Sequence, residues 1–181
     1  MKFFFGSVAA IFGLFIAACI AGFFMPATLS VERSLKLEAY PGDVFPYLND
    51  LRLYKDWSAL DQKIGNTTLI QGGAETGVGQ SQIWQNGPDD LEFGTREILQ
   101  SQENEFVQIR LNISGHDTTT THAIFDNEDE TITVLSKREL PQPGFPYLAR
   151  LRTLRVKPNL EADLDAALSR LKILVEANLE S

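Results

Sequence analysis

The sequence predicts an α+β protein: an antiparallel sheet covered by a long C-terminal helix, preceded by an N-terminal transmembrane helix. Three observations carry this. They are an uncharged apolar run at the N-terminus, a central stretch of short β-rich segments broken by turn residues, and a closing segment whose leucines recur at helical spacing.

The first of these sets the division of the chain. After Lys2 no charged residue occurs until Glu32, and 3–25 reads FFFGSVAAIFGLFIAACIAGFFM. Such a run can satisfy every backbone group within a helix while its side chains meet lipid. At about 1.5 Å per residue it reaches roughly 35 Å, enough for a hydrocarbon core of about 30 Å. Pro26 marks its end. A cleavable secretory signal is the alternative, but the run exceeds the usual apolar core of such signals and no pair of small residues follows Met25. Ile16-Ala17-Ala18-Cys19 resembles a lipoprotein cleavage box, yet Ile20-Ala21-Gly22-Phe23-Phe24 is apolar where a polar tether is usual. The expectation is therefore a single-pass anchor over 1–29 and a globular domain over 30–181, on the extracytoplasmic side. Ala9, Gly13 and Ala17, and again Ala18 and Gly22, recur four apart, either as a close-packing face or as lipid-facing filler.

In the domain, Val31, Leu35 and Leu37 alternate with Ser30, Glu32, Ser34 and Lys36, the period of a half-buried strand, with Arg33 the one exception. A helix follows, with Asp43 as N-cap, Pro46 in its first turn and Val44, Leu48 and Leu51 as its apolar stripe. Residues 52–57 continue as a second short helix or turn. Strands are predicted at 67–70, 78–85, 91–99, 106–112, 118–125 and 131–137, each rich in β-branched or aromatic residues. Gln71-Gly72-Gly73, Asn86-Gly87-Pro88, Ser114-Gly115 and Asn127-Glu128-Asp129 separate them, spacings that suit consecutive antiparallel hairpins. Leu160, Leu164, Ala167, Leu168, Leu171, Leu174, Val175 and Leu179 then form the covering helix, with Pro158 and Asn159 at its expected start.

Composition narrows the chemistry. The chain has 181 residues, 44% hydrophobic and 22% charged, with a formal net charge of -8. That acidic balance argues against a nucleic-acid partner, since such proteins present a basic face to phosphates. One cysteine and two histidines exclude a disulfide framework and leave too few ligands for a zinc site, so neither metal nor cofactor is expected.

Val31-Glu32-Arg33-Ser34-Leu35 leading to Pro41-Gly42-Asp43-Val44-Phe45, then Leu53-Tyr54-Lys55-Asp56-Trp57-Ser58, Gly77-Val78-Gly79 with Trp84, and the closing run from Leu168 to Glu176 resemble the START-like superfamily. Its bacterial members are often called polyketide cyclase/dehydrase or SRPBCC proteins. The resemblance covers roughly 30–181. It implies a helix-grip fold, in which the sheet curls around the terminal helix and encloses an apolar cavity for a lipid, isoprenoid, polyketide or similar molecule. Two departures stand out: the N-terminal apolar run, and a long connection, PQPGFPYLARLRTLRVK, before the helix. The superfamily shares no catalytic motif, so no active residue carries over.

The candidate ligand-contacting residues are Trp57, Trp84, Phe93, Ile109, Thr120 and His122. His122 shares strand parity with Thr118 and Thr120; it either faces the cavity, as hydrogen-bonding partner or proton-transfer group, or faces solvent on an edge strand. Trp84 shares parity with Val78, Gln80 and Gln82, giving the ring-plus-amide mixture of a pocket, unless Ile83 points inward instead. Trp57 is a pocket wall or a plug of the core. Phe93, with Leu91 and Thr95, lines the cavity or packs the core, and Ile109 lies on the apolar face of its strand. His116 belongs to a turn. The glycines of 72–79 form a hairpin connection and not a phosphate loop, because no Lys-Ser/Thr follows. Asp89-Asp90 and Glu128-Asp129-Glu130 fall at solvated turns. Phe145, Leu148, Leu151 and Leu154 interleave with Arg150, Arg152, Arg155 and Lys157, suited either to anionic headgroups or to lidding the core. The expected partner is a hydrophobic small molecule or lipid held in the cavity, together with a membrane reached through the N-terminal helix. The alternative is a cyclase- or dehydratase-like enzyme using the same cavity.

Overall fold

A computed structural model describes the chain except residues 1, 65–66, 87–90, 145–146 and 181, and except the side chains of 2–6, 8–10, 86, 91–93 and 149. Helix α1 (Lys2–Phe23) is followed by β1 (Thr28–Leu37), α2 (Pro41–Asn49), a 3-10 turn (Leu51–Leu53), α3 (Tyr54–Trp57) and α4 (Ala59–Ile64). Six strands come next: β2 (Thr68–Gly73), β3 (Gln80–Asn86), β4 (Leu91–Gln102), β5 (Phe106–Ile113), β6 (His116–Asp126) and β7 (Ile132–Pro141). A second 3-10 turn (Leu148–Arg152) leads into α5 (Thr153–Leu179). The strands form one seven-stranded antiparallel sheet in the order β1-β7-β6-β5-β4-β3-β2. This is the architecture of a helix-grip fold.

Strand parity sets which side chains meet the helices. Val107, Ile109 and Leu111 of β5, Thr118, Thr120, His122 and Ile124 of β6, and Ile132, Val134 and Ser136 of β7 are all buried. The opposite parity is half-buried or exposed, as period 2 requires. Register shifts between Trp84 and Gln85 and between Ile98 and Gln100 curl the sheet. Across the hollow side lies α5, whose Leu164, Ala167, Leu168, Leu171 and Val175 are buried. Leu37, Leu48, Leu51, Trp57, Ile98, Val134, Leu168 and Leu171 belong to the main core cluster, and each fully buried leucine there contributes roughly 1.5–3 kcal/mol.

The one polar residue on the inward parity of β1 has a partner. Arg33 reaches Glu161 Oε2 at 2.9 Å and Asp165 Oδ2 at 3.2 Å, tying the edge strand to α5. In the β2–β3 connection Gly73 has φ +71°, and a Cβ there would lie 1.8 Å from the Gly79 carbonyl oxygen, so the hairpin closes only without a side chain.

Several boundaries differ from the sequence expectation. Pro41 and not Asp43 opens α2; Asp43 sits in the first turn, where its carboxylate accepts the Tyr40 N–H at 2.9 Å. Pro46 lies in the second turn of that helix, and Pro158 lies inside α5, which begins five residues earlier at Thr153. Helix α4 occupies residues that its polar, short sequence did not distinguish from loop.

The membrane expectation is overturned. Among the described residues no helix is long and apolar enough to cross a membrane. The single-pass location and the extracytoplasmic placement that followed from it are therefore withdrawn. The end of α1 instead docks on its own chain. A Cβ at Gly22 would meet the Tyr147 carbonyl oxygen at 2.4 Å, and the Phe23 and Tyr147 rings stand edge to face with centroids 5.5 Å apart. Arg150 donates to the carbonyls of Met25 and Pro143, each at 3.0 Å, and lies over the Tyr147 ring. That basic side chain is engaged within the protein, and Phe145 lies outside the described residues.

Candidate functional site

Between the sheet, α3, α4 and α5 lies a hollow bordered by Tyr54, Trp57, Ser58, Ala59, Leu60, Arg96, Ile109, Leu111, Thr120, His122, Arg138, Asp163, Leu164 and Ala167. It offers about 40 Å³ to the centre of a water-sized sphere, room for about three waters or a compact polar group. A lipid tail does not fit without displacing side chains. The interior that the sequence suggested as a lipid cavity is mostly filled by rings and by an ion pair.

Of the residues singled out from sequence, Trp57, Ile109, Thr120 and His122 meet here. Trp57 forms a wall, 2% exposed, with Nε1 donating to the Tyr47 carbonyl at 3.2 Å. Its ring stands 4.6 Å from that of Tyr54 and 5.4 Å, edge to face, from the His122 imidazole. His122 belongs to β6, an interior strand, and is 4% exposed, so the inward orientation holds and the solvent-facing one does not. Its Nδ1 lies 2.7 Å from Ser136 Oγ. Burial, with a smaller contribution from the Arg138 charge, pushes its pKa down to about 3. The imidazole is therefore neutral at physiological pH.

Trp84 points inward but lies outside the hollow, 1% exposed, with the Arg96 guanidinium 4.9 Å over its ring. Gln80 and Gln82, which share its parity, are buried and serve the fold. Gln80 Oε1 accepts the Leu51 N–H at 2.8 Å, and Gln82 Nε2 donates to the Leu51 carbonyl at 2.9 Å. The two amides thereby fix the turn that carries Tyr54 and Trp57. The side chain of Phe93 lies outside the described residues; its backbone falls at the register shift, where Gly94 pairs with Trp84 and Glu92 with Gln85.

Two arginines complete the site, and neither was singled out from sequence. Arg96, on the inward parity of β4, is paired with Asp61 of α4 through Nη1 to Oδ2 at 2.8 Å and Nη2 to Oδ1 at 3.1 Å. Its Nε also donates to Gln82 Oε1 at 3.0 Å, and its guanidinium lies 4.7 Å over the Tyr54 ring. Arg138 continues the inward row of Ile132, Val134 and Ser136 on β7, and its Nε donates to Thr120 Oγ1 at 3.1 Å. The available signal was a charge standing in phase with apolar residues of a strand. His116, expected in a turn, instead opens β6 just after the Ser114–Gly115 turn, exposed, with its Nδ1 3.1 Å from the Ser114 carbonyl. Asp129 pairs with Lys36 at 2.6 Å, and Asp89-Asp90 lie outside the described residues. Among the described residues no cluster of His, Cys, Asp and Glu is arranged to hold a metal ion.

No family model matches the chain, and no curated protein matches it. Solved structures do. DynU16, from the dynemicin biosynthetic locus, is 16% identical with a TM-score of 0.56; the match covers 82% of this chain and 48% of that one, so this chain spans about half its length. CalU16 from Micromonospora echinospora is 12% identical with a TM-score of 0.55, covering 86% of this chain and 83% of that one. Truncated norcoclaurine synthase from Thalictrum flavum is 13% identical with a TM-score of 0.57, covering 82% and 93%. At such identities the likeness shows a shared fold and nothing of substrate or activity.

Proposed function

We propose that the protein is a small-molecule binding module whose site is the hollow between the inner faces of β5, β6 and β7 and helix α5. The observation that supports this reading is the composition of the lining. Aromatic and aliphatic walls from Trp57, Tyr54, Ile109 and Leu164 enclose a few polar side chains, Thr120, His122 and Arg138, the mixture a ligand site needs. Affinity would come from apolar contact on the walls and orientation from the polar group. The volume favours a compact ligand or the head of a larger one. An isoprenoid or polyketide-like body would enter only with lining side chains displaced.

The neutral state of His122 favours binding over catalysis. An imidazole pushed down to about 3 is a weak base at neutral pH and serves better as a hydrogen-bonding partner.

Native mass spectrometry of the full chain, followed by solvent extraction, tests the reading. A recurrent adduct is expected, and Ala167→Phe, which fills the hollow from α5, should lose it. The reading fails if no adduct forms, or if the filled variant keeps it.

A further inference from the structure

Arg138 has more hydrogen-bonding capacity than the protein uses. Its Nε donates to Thr120 Oγ1, but among the described residues no acceptor stands within hydrogen-bond distance of Nη1 or Nη2. Among those residues, too, the one enclosed side-chain nitrogen or oxygen lacking a partner is Arg170 Nη1. The free nitrogens of Arg138 therefore border open space, as does His122 Nε2, whose ring partner Nδ1 is taken by Ser136. In the tautomer in which the Ser136 hydroxyl donates to Nδ1, Nε2 carries the proton and becomes a second donor beside the guanidinium.

The charges around the hollow sharpen this. Arg96 is balanced by Asp61. Asp163, the acid Arg138 feels, is held by Lys63 Nζ at 2.5 Å, so those three groups carry one net positive charge. Burial pulls the Arg138 pKa down from its ordinary value, the direction expected of a cation short of a counter-ion. A guanidinium fork offering parallel N–H groups matches a planar carboxylate, and the single uncompensated charge matches a monoanion better than a phosphate dianion.

We infer that the ligand of this site is a monocarboxylate, its carboxylate received by the Arg138 fork and His122 Nε2 and its apolar body directed against Trp57. This rests on the binding-module reading above.

The experiment is a two-dimensional ¹H–¹⁵N NMR titration of the full chain with monocarboxylates from acetate to benzoate, each paired with its neutral amide, and with inorganic phosphate. Acids should bind at least tenfold more tightly than their amides and more tightly than phosphate, shifting the Trp57 indole and Arg138 signals. Arg138→Gln should remove that preference, and Arg138→Lys, which keeps the charge without the fork, should recover only part of it. The acid-against-amide comparison needs no variant, so a poorly folding Arg138→Gln does not decide the matter. Amides binding as well as acids would overturn the inference and leave the module standing. Phosphate binding more tightly than every acid would overturn the monoanion assignment. Absence of any shift at Trp57 with every probe would overturn both.

Discussion

Arg96 and Asp61 form a two-pronged ion pair inside the domain, their side chains 4% and 5% exposed, and so bolt helix α4 to the middle of the sheet. Removing one partner leaves the other charge buried and unpaired. Asp61→Asn should cost about 3–5 kcal/mol in urea denaturation, whereas Arg96→Met combined with Asp61→Leu should cost much less. Additive losses in the double variant would contradict the pairing.

His122 links stability to pH. Its folded pKa, about 3, lies below the ordinary value of 6.5, so the unfolded chain binds the extra proton between those values. Its contribution is thus complete above pH 6.5 and is lost as pH falls toward 3, with a ceiling of about 5 kcal/mol. Denaturation of the native protein and of His122→Gln at pH 7, 5.5 and 4 should show the native curve falling more steeply. Parallel curves would contradict a buried neutral imidazole.

Gln80 holds the backbone of the turn that presents Tyr54 and Trp57. In Gln80→Leu the Leu51 N–H loses its acceptor in the interior, at a cost of about 1–3 kcal/mol. Trp57 emission should shift to longer wavelength as its support loosens. An unchanged melting temperature would mean that water replaces the amide freely.

Two glycines that frame the β2–β3 connection, Gly73 and Gly79, should respond unequally. Gly79 has φ +85° with open space around its Cβ position, so Gly79→Ala carries only backbone strain, about 1 kcal/mol. Gly73→Ala adds a collision with the Gly79 carbonyl and should destabilise by more. Equal losses in thermal denaturation would rule out that contact as the cause.

Much of the fold was legible because its signals are local. The alternation of Val107, Ile109 and Leu111, the turn pairs between strands, and the leucine spacing from Leu164 to Val175 each fix an element without reference to the rest. The candidate site was half legible for the same reason: Thr120 and His122 declared their shared face by parity. What remained hidden depends on long-range pairing. Arg138 reads as an ordinary surface arginine until β1 and β6 enclose its strand. Gln82 resembled a pocket amide until Leu51 arrived beside it. The N-terminal run was misread because apolar composition alone does not say what covers a helix. Gly22 finds cover in Tyr147, more than a hundred residues away in sequence, and the Phe23 ring meets that tyrosine edge to face.

The pairing of β1 with β7 has a consequence for how the molecule is made. Strands β2 to β7 zip onto immediate neighbours and can form as they leave the ribosome, but Thr28–Leu37 must wait until Ile132–Pro141 has been synthesised. During that interval Leu29, Val31 and Leu37 stand unshielded beside an apolar helix. The nascent chain therefore carries these side chains unshielded until its last strand and α5 have emerged, and a chaperone that captures 28–37 would protect it through that window.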